Sequence, residues 1–126
     1  MATSIRDFER SGVCGATTMI AKQYYIVKQH TDGTLVLAGA NGAGAIGVLQ
    51  NKPAVGAAAL YRFGGTSKVV AGGTIAVGAW VTSDTNGKAV ATTTDKDVVI
   101  GRYLGTAAAS SGDIIEVQMG IHTGSL

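Results

Sequence analysis

The sequence predicts an all-β fold, on three observations. Two dipeptides with tight-turn chemistry, Asp32-Gly33 and Asn86-Gly87, are each flanked by apolar and β-branched residues, the pattern of a hairpin tip. Residues 113–119 (DIIEVQM) alternate, with Ile115, Val117 and Met119 on one side and Ile114, Glu116 and Gln118 on the other. No long window combines helical apolar spacing with freedom from glycine and β-branched residues, so at most a short helical turn is expected, at 54–59 or 106–110.

Taken along the chain, residues 1 to about 20 show no usable period. Four charges crowd the first ten positions beside isolated Ile5 and Phe8, and the expectation is an extended N-terminal arm over 1–20, followed by one β domain over 21–126. Tyr24-Tyr25-Ile26-Val27 leads into the first turn and Thr34-Leu35-Val36-Leu37 leads out. Trp80-Val81-Thr82 and Lys88-Ala89-Val90-Ala91-Thr92 do the same at the second; all four have strand composition.

The two halves echo each other. Asp32-Gly33 and Ile46-Gly47 recur 54 residues on as Asn86-Gly87 and Ile100-Gly101, and residues 56–64 (GAAALYRFG) match 112–120 (GDIIEVQMG) after a further shift of two. The expectation is a pair of similar β units.

Composition limits the monomer. Of 126 residues, 19 are Gly, 19 are Ala and seven are aromatic, so the core is modest, and association with a larger surface would supply burial. The net charge of +2, with no basic run interleaved with aromatics, argues against nucleic acid as a partner. The charge is uneven: five cations and one acid from Lys22 to Lys68, five acids and three cations from Asp84 onward. A single cysteine, Cys14, allows no internal disulfide. The N-terminus lacks a signal-peptide core and no apolar run is long enough to span a membrane, so a protein kept in a cytosol, with no membrane partner, is expected.

Each residue set that could carry chemistry has a plainer reading. Gly42-Ala43-Gly44-Ala45-Ile46-Gly47 spells the dinucleotide fingerprint, but Asn51-Lys52-Pro53 interrupts any helix and the next acid is Asp84, so a glycine-rich β loop is the better reading. His30 and His122 lack partners at metal-ligand spacing, apart from Asp32 beside a turn. Cys14 has no neighbouring charge to activate it, and Asp95-Lys96-Asp97 reads as a solvated loop. Trp80, Tyr24, Tyr25, Tyr61, Phe63 and Tyr103 could line a sugar platform, although core and interface compete for them. No catalytic, cofactor-binding or metal-binding residues are predicted, and a hydrolase or oxidoreductase lacks any visible nucleophile, base or metal set.

Residues 46–53 (IGVLQNKP), 67–73 (SKVVAGG), 81–84 (VTSD) with 86–89 (NGKA), Ile100-Gly101 and 112–117 (GDIIEV) form an ordered set of segments spread over about 22–120. That set resembles a family of phage head-decoration, or capsid-cement, proteins. The resemblance implies a compact β-barrel or β-tulip-like domain that forms trimers on the outside of the capsid lattice, with an N-terminal arm reaching the major capsid protein. It carries no catalytic residues over. The function expected is therefore capsid decoration and stabilisation by a homotrimer; the alternative, motivated by the aromatics, is a carbohydrate-binding or adhesion β module.

Overall fold

The computed structural model describes residues 8–93 and 97–123. They form β1 (Glu9–Val13), β2 (Ile26–Gln29), β3 (Leu35–Leu37), a 3-10 turn (Ala40–Gly42), β4 (Ala45–Leu49), β5 (Ala58–Arg62), β6 (Thr66–Val70), β7 (Trp80–Ser83), β8 (Ala89–Ala91), β9 (Val98–Tyr103) and β10 (Ile114–Thr123). The strands make two five-stranded sheets, in the orders β1-β5-β4-β2-β3 and β6-β10-β9-β7-β8. The second order is the first with every strand moved on by five, so the chain folds as two units of one plan.

The repetition extends to individual residue pairs. Val27 pairs with Leu37 and Gly47 in the first unit; Val81 pairs with Ala91 and Gly101, each 54 residues on, in the second. Leu49 faces Tyr61 as Tyr103 faces Val117, which reproduces the further shift of two in the last strand. The bridge Cys14 to Leu35 recurs as Ala71 to Ala89. Both turn glycines have positive φ, 87° at Gly33 and 79° at Gly87, as the dipeptides require. The repeated Ile-Gly has a steric cause. A Cβ at Gly47 would stand 2.6 Å from Arg62 O, and one at Gly101 would strike the corresponding carbonyl, Gln118 O.

Two apolar clusters hold the fold. The smaller one gathers Cys14, Met19, Val27, Leu35, Leu49 and Ala59 against the first sheet. The larger takes Ile26, Ala38, Ala45 and Val48 from the first unit and packs them with Val69, Ile75, Val81, Ile100, Ile115, Val117 and others from the second. Each fully buried Val or Ile contributes about 1.5–3 kcal/mol, so the shared cluster ties the units into one body. The alternation predicted for 113–119 is present: Ile115, Val117 and Met119 are buried, whereas Ile114, Glu116 and Gln118 are exposed.

Three expectations change. The sheets are not closed into a barrel: β3 and β8, at one edge of each sheet, are only three residues long, and each half completes its own sheet instead. The helical turn falls at 40–42, because 54–59 runs into β5 and 106–110 forms bends and an isolated bridge. Within the expected arm, Glu9–Val13 is a strand paired with β5, and Cys14 and Met19 are buried at 2% and 1% exposure. An edge strand held by its ladder needs no apolar alternation, which is why the sequence pattern hides it. An ion pair between Glu9 and Arg62 reinforces it, with Arg62 Nε donating to Glu9 Oε2 at 2.8 Å. Residues 1–7 lie outside the described residues.

Candidate interaction surfaces

The residues singled out for chemistry are dispersed and structurally employed. Gly42 to Gly47 forms the 3-10 turn and β4 rather than opening a helix, and a Cβ on Gly42 would stand 2.6 Å from Thr82 Oγ1, so that glycine permits close packing between the units. Cys14 is a core thiol whose Sγ lies 3.4 Å from Thr17 O. Asp97 is buried and accepts from Thr92 Oγ1 at 2.6 Å; Asp95 and Lys96 lie outside the described residues. His30 sits at the first hairpin tip with Nδ1 3.3 Å from Asp32 Oδ1, whereas His122 packs edge-on against Trp80 at 5.5 Å. Among the described residues no group of three His, Cys, Asp or Glu side chains could hold a metal ion. No helix there is long and apolar enough to cross a membrane.

The two turn carboxylates serve the turns. Asp84 Oδ1 accepts from Asn86 N at 2.8 Å and Lys88 N at 2.9 Å. Asp32 Oδ1 accepts from the hydroxyl of Thr34 at 2.6 Å and its N–H at 3.0 Å, and these bonds hold the Asp32 carboxyl below the usual aspartate range.

The aromatics fall into separate groups rather than one platform. Phe8, Phe63 and Tyr61 cluster with centroids 6.4 and 6.3 Å apart. Tyr103 is buried, its hydroxyl donating to Ala107 O. Trp80 is half-buried between the His122 ring and the Arg102 guanidinium, which lies 4.4 Å from its centroid. Tyr25 receives two ammonium groups, Lys22 Nζ at 4.9 Å and Lys88 Nζ at 5.9 Å, and Lys68 Nζ stands 6.0 Å from Tyr24. Lys22 is a near neighbour of both tyrosines in sequence, whereas Lys68 and Lys88 come from distant parts of the chain, and no local motif marks their convergence. Tyr24 also has φ 71°, where the equivalent residue of the second unit is Gly78, at φ 79°. Its ring packs against the shared core and its carbonyl accepts from Val70 N at 3.0 Å, which joins the first unit to β6.

The surface carries half-exposed aromatics beside cations, and exposed Val13, Ile20, Val55, Val77, Leu104 and Ile114. Dispersed apolar and aromatic residues of this sort suit extended protein contacts better than enclosure of a small molecule.

Comparison with known proteins agrees. No curated protein matches this chain. Its fold is similar to that of the N base of the head fiber gp8.5 in bacteriophage phi29, at 20% sequence identity and a TM-score of 0.61, covering 89% of this chain and 92% of that one. The family model for phage cement proteins matches residues 18–119. The chain belongs to the phage cement protein family and is a capsid-associated structural protein of a bacteriophage head.

Proposed function

We propose that this chain is a non-catalytic cement protein that binds the major capsid protein on the outer surface of the head as a homotrimer and stabilises the lattice against internal pressure. The observation that carries this reading is the family match over residues 18–119. The absence of a catalytic constellation in the sequence agrees with it, and the modest Ala- and Gly-rich core favours burial in an assembly. Synthesis in the host cytoplasm follows from a virion role. Many weak contacts repeated over a lattice stabilise it by multivalency. Within this reading the residues ahead of β1 reach onto the shell, and the chain from β1 onward, with Cys14 and Met19 in its core, forms the decorating domain.

The test is sedimentation of purified protein with heads that lack it, together with mass spectrometry of intact virions. Saturable binding and a copy number in the hundreds are expected. Heads that take up none, and virions that contain none, would refute the reading. The carbohydrate-binding alternative has no observation in its favour, since the aromatics share no platform.

A further inference from the structure

The two units share one plan, yet the contact between them joins different ends of it. The second unit contributes its hairpin tip. Gly87 is buried, Gly87 O accepts from Ile26 N at 2.7 Å, and a Cβ at Gly87 would stand 3.3 Å from Leu37 Cβ. The first unit contributes the open end of its β2–β3 hairpin, at Ile26 and Leu37. Such a contact is heterologous: each unit has both a tip and an open end, and one intrachain contact uses one of each.

Among the described residues the other two ends make no such contact. The first unit's tip, residues 30–34, has the same geometry, with His30 N donating to Thr34 O and Gly33 N to His30 O, as Asp84 N does to Lys88 O and Gly87 N to Asp84 O. A Cβ at Gly33, however, would meet nothing within 4 Å, and Gly33 O accepts a 3.3 Å bond from the exposed Gln29 side chain instead of a backbone N–H from another sheet. At the open end of the second hairpin, the counterparts of Ile26 and Leu37 are Trp80 and Ala91. Ile26 is fully buried, whereas Trp80 is half-buried; Leu37 is half-buried, whereas Ala91 is exposed. On the adjoining strand Val48, 0% exposed, has as its counterpart the exposed Arg102, whose guanidinium covers Trp80.

We propose that the tip at residues 30–34 of one copy docks on the open end of the β7–β8 hairpin, at Trp80 and Ala91, of a second copy. It repeats between chains the contact that joins the two units within one. The surfaces are complementary: the tip presents the exposed Asp32 carboxylate, and the receiving end presents Arg102 beside an aromatic ring. The contact is head-to-tail and uses each surface once per copy, so it closes into a ring when the rotation between copies allows. The inference rests on the self-association proposed above and specifies its interface.

The test places one cysteine on each surface of the full chain, at Gly33→Cys and Ala91→Cys, the positions whose in-chain counterparts come within disulfide reach. Under mild oxidation, free or bound to heads, the double variant should form covalent multimers. The two single variants should form a heterodimer only when mixed, and native Cys14 is buried. Ala91→Arg, at an exposed position, should keep its melting temperature while light scattering shows the mass of one chain. Absence of crosslinks both in solution and on heads overturns the inference, as does self-crosslinking of either single variant, or an undiminished mass for Ala91→Arg. The capsid reading fails separately: wild-type protein that crosslinks as described but does not sediment with heads would keep the interface and lose the cement role.

Discussion

Single residues matter most where the backbone is bent. Gly33 and Gly87 occupy equivalent tips with nearly equal φ, but only Gly87 faces another sheet, with Ile26 O 3.0 Å from where a Cβ would stand. A β-branched residue at positive φ costs about 1–2 kcal/mol at either site, and at Gly87 crowding against a backbone carbonyl adds to it. Gly87→Val should therefore destabilise by more than about 1 kcal/mol and by more than Gly33→Val, measured by denaturant unfolding. Equal effects would show that the second tip does not pack on the first unit. At Asp32 the Thr34 bonds lower the carboxyl pKa. A group with a depressed folded pKa contributes stability above its unfolded value and loses it as pH falls through the folded one. An NMR titration should place the Asp32 midpoint below that of an ordinary aspartate, and Thr34→Val should move it upward.

Among the elements, β1 separates what is dispensable from what is not. Its ladder to β5 spans residues 9–13, and the segment after it buries Cys14 and Met19. Loss of a buried methionine alone costs about 2–5 kcal/mol. Removing residues 1–20 should thus lower the melting temperature sharply or prevent folding, whereas removing 1–7 should leave melting near wild type and weaken head binding. A 1–20 deletion that melts like the full chain would show β1 to be unnecessary. Glu9→Ala should be mild, within about 1 kcal/mol, because the Glu9–Arg62 pair is partly exposed.

For the whole molecule, the decisive feature is a core that belongs to both units. Ile26, Ala38, Ala45 and Val48 are buried in the same cluster as the inward faces of β7, β9 and β10. Separation would expose that surface, so calorimetry should show one cooperative transition rather than two, and a fragment starting at β6 should not fold alone. Two resolved transitions would contradict the shared core.

Much of this architecture is written locally. The hairpin tips at Asp32-Gly33 and Asn86-Gly87, the alternation of 113–119 and the recurrence of Ile-Gly at 46–47 and 100–101 each depend on near neighbours and on backbone geometry that few residues satisfy. From these alone the chain is an all-β protein of two similar units, and its ordered segments already resemble capsid-cement proteins. Tertiary structure decided the rest. Whether the sheets close, whether Glu9–Val13 joins an edge, and which tip is buried depend on pairings between residues far apart in the chain, and such pairings leave no local period. The same reason separates equivalent positions. Gly33 and Gly87 share a turn, yet only Gly87 is covered, because the surface that covers it lies in the other unit, some fifty residues away in sequence.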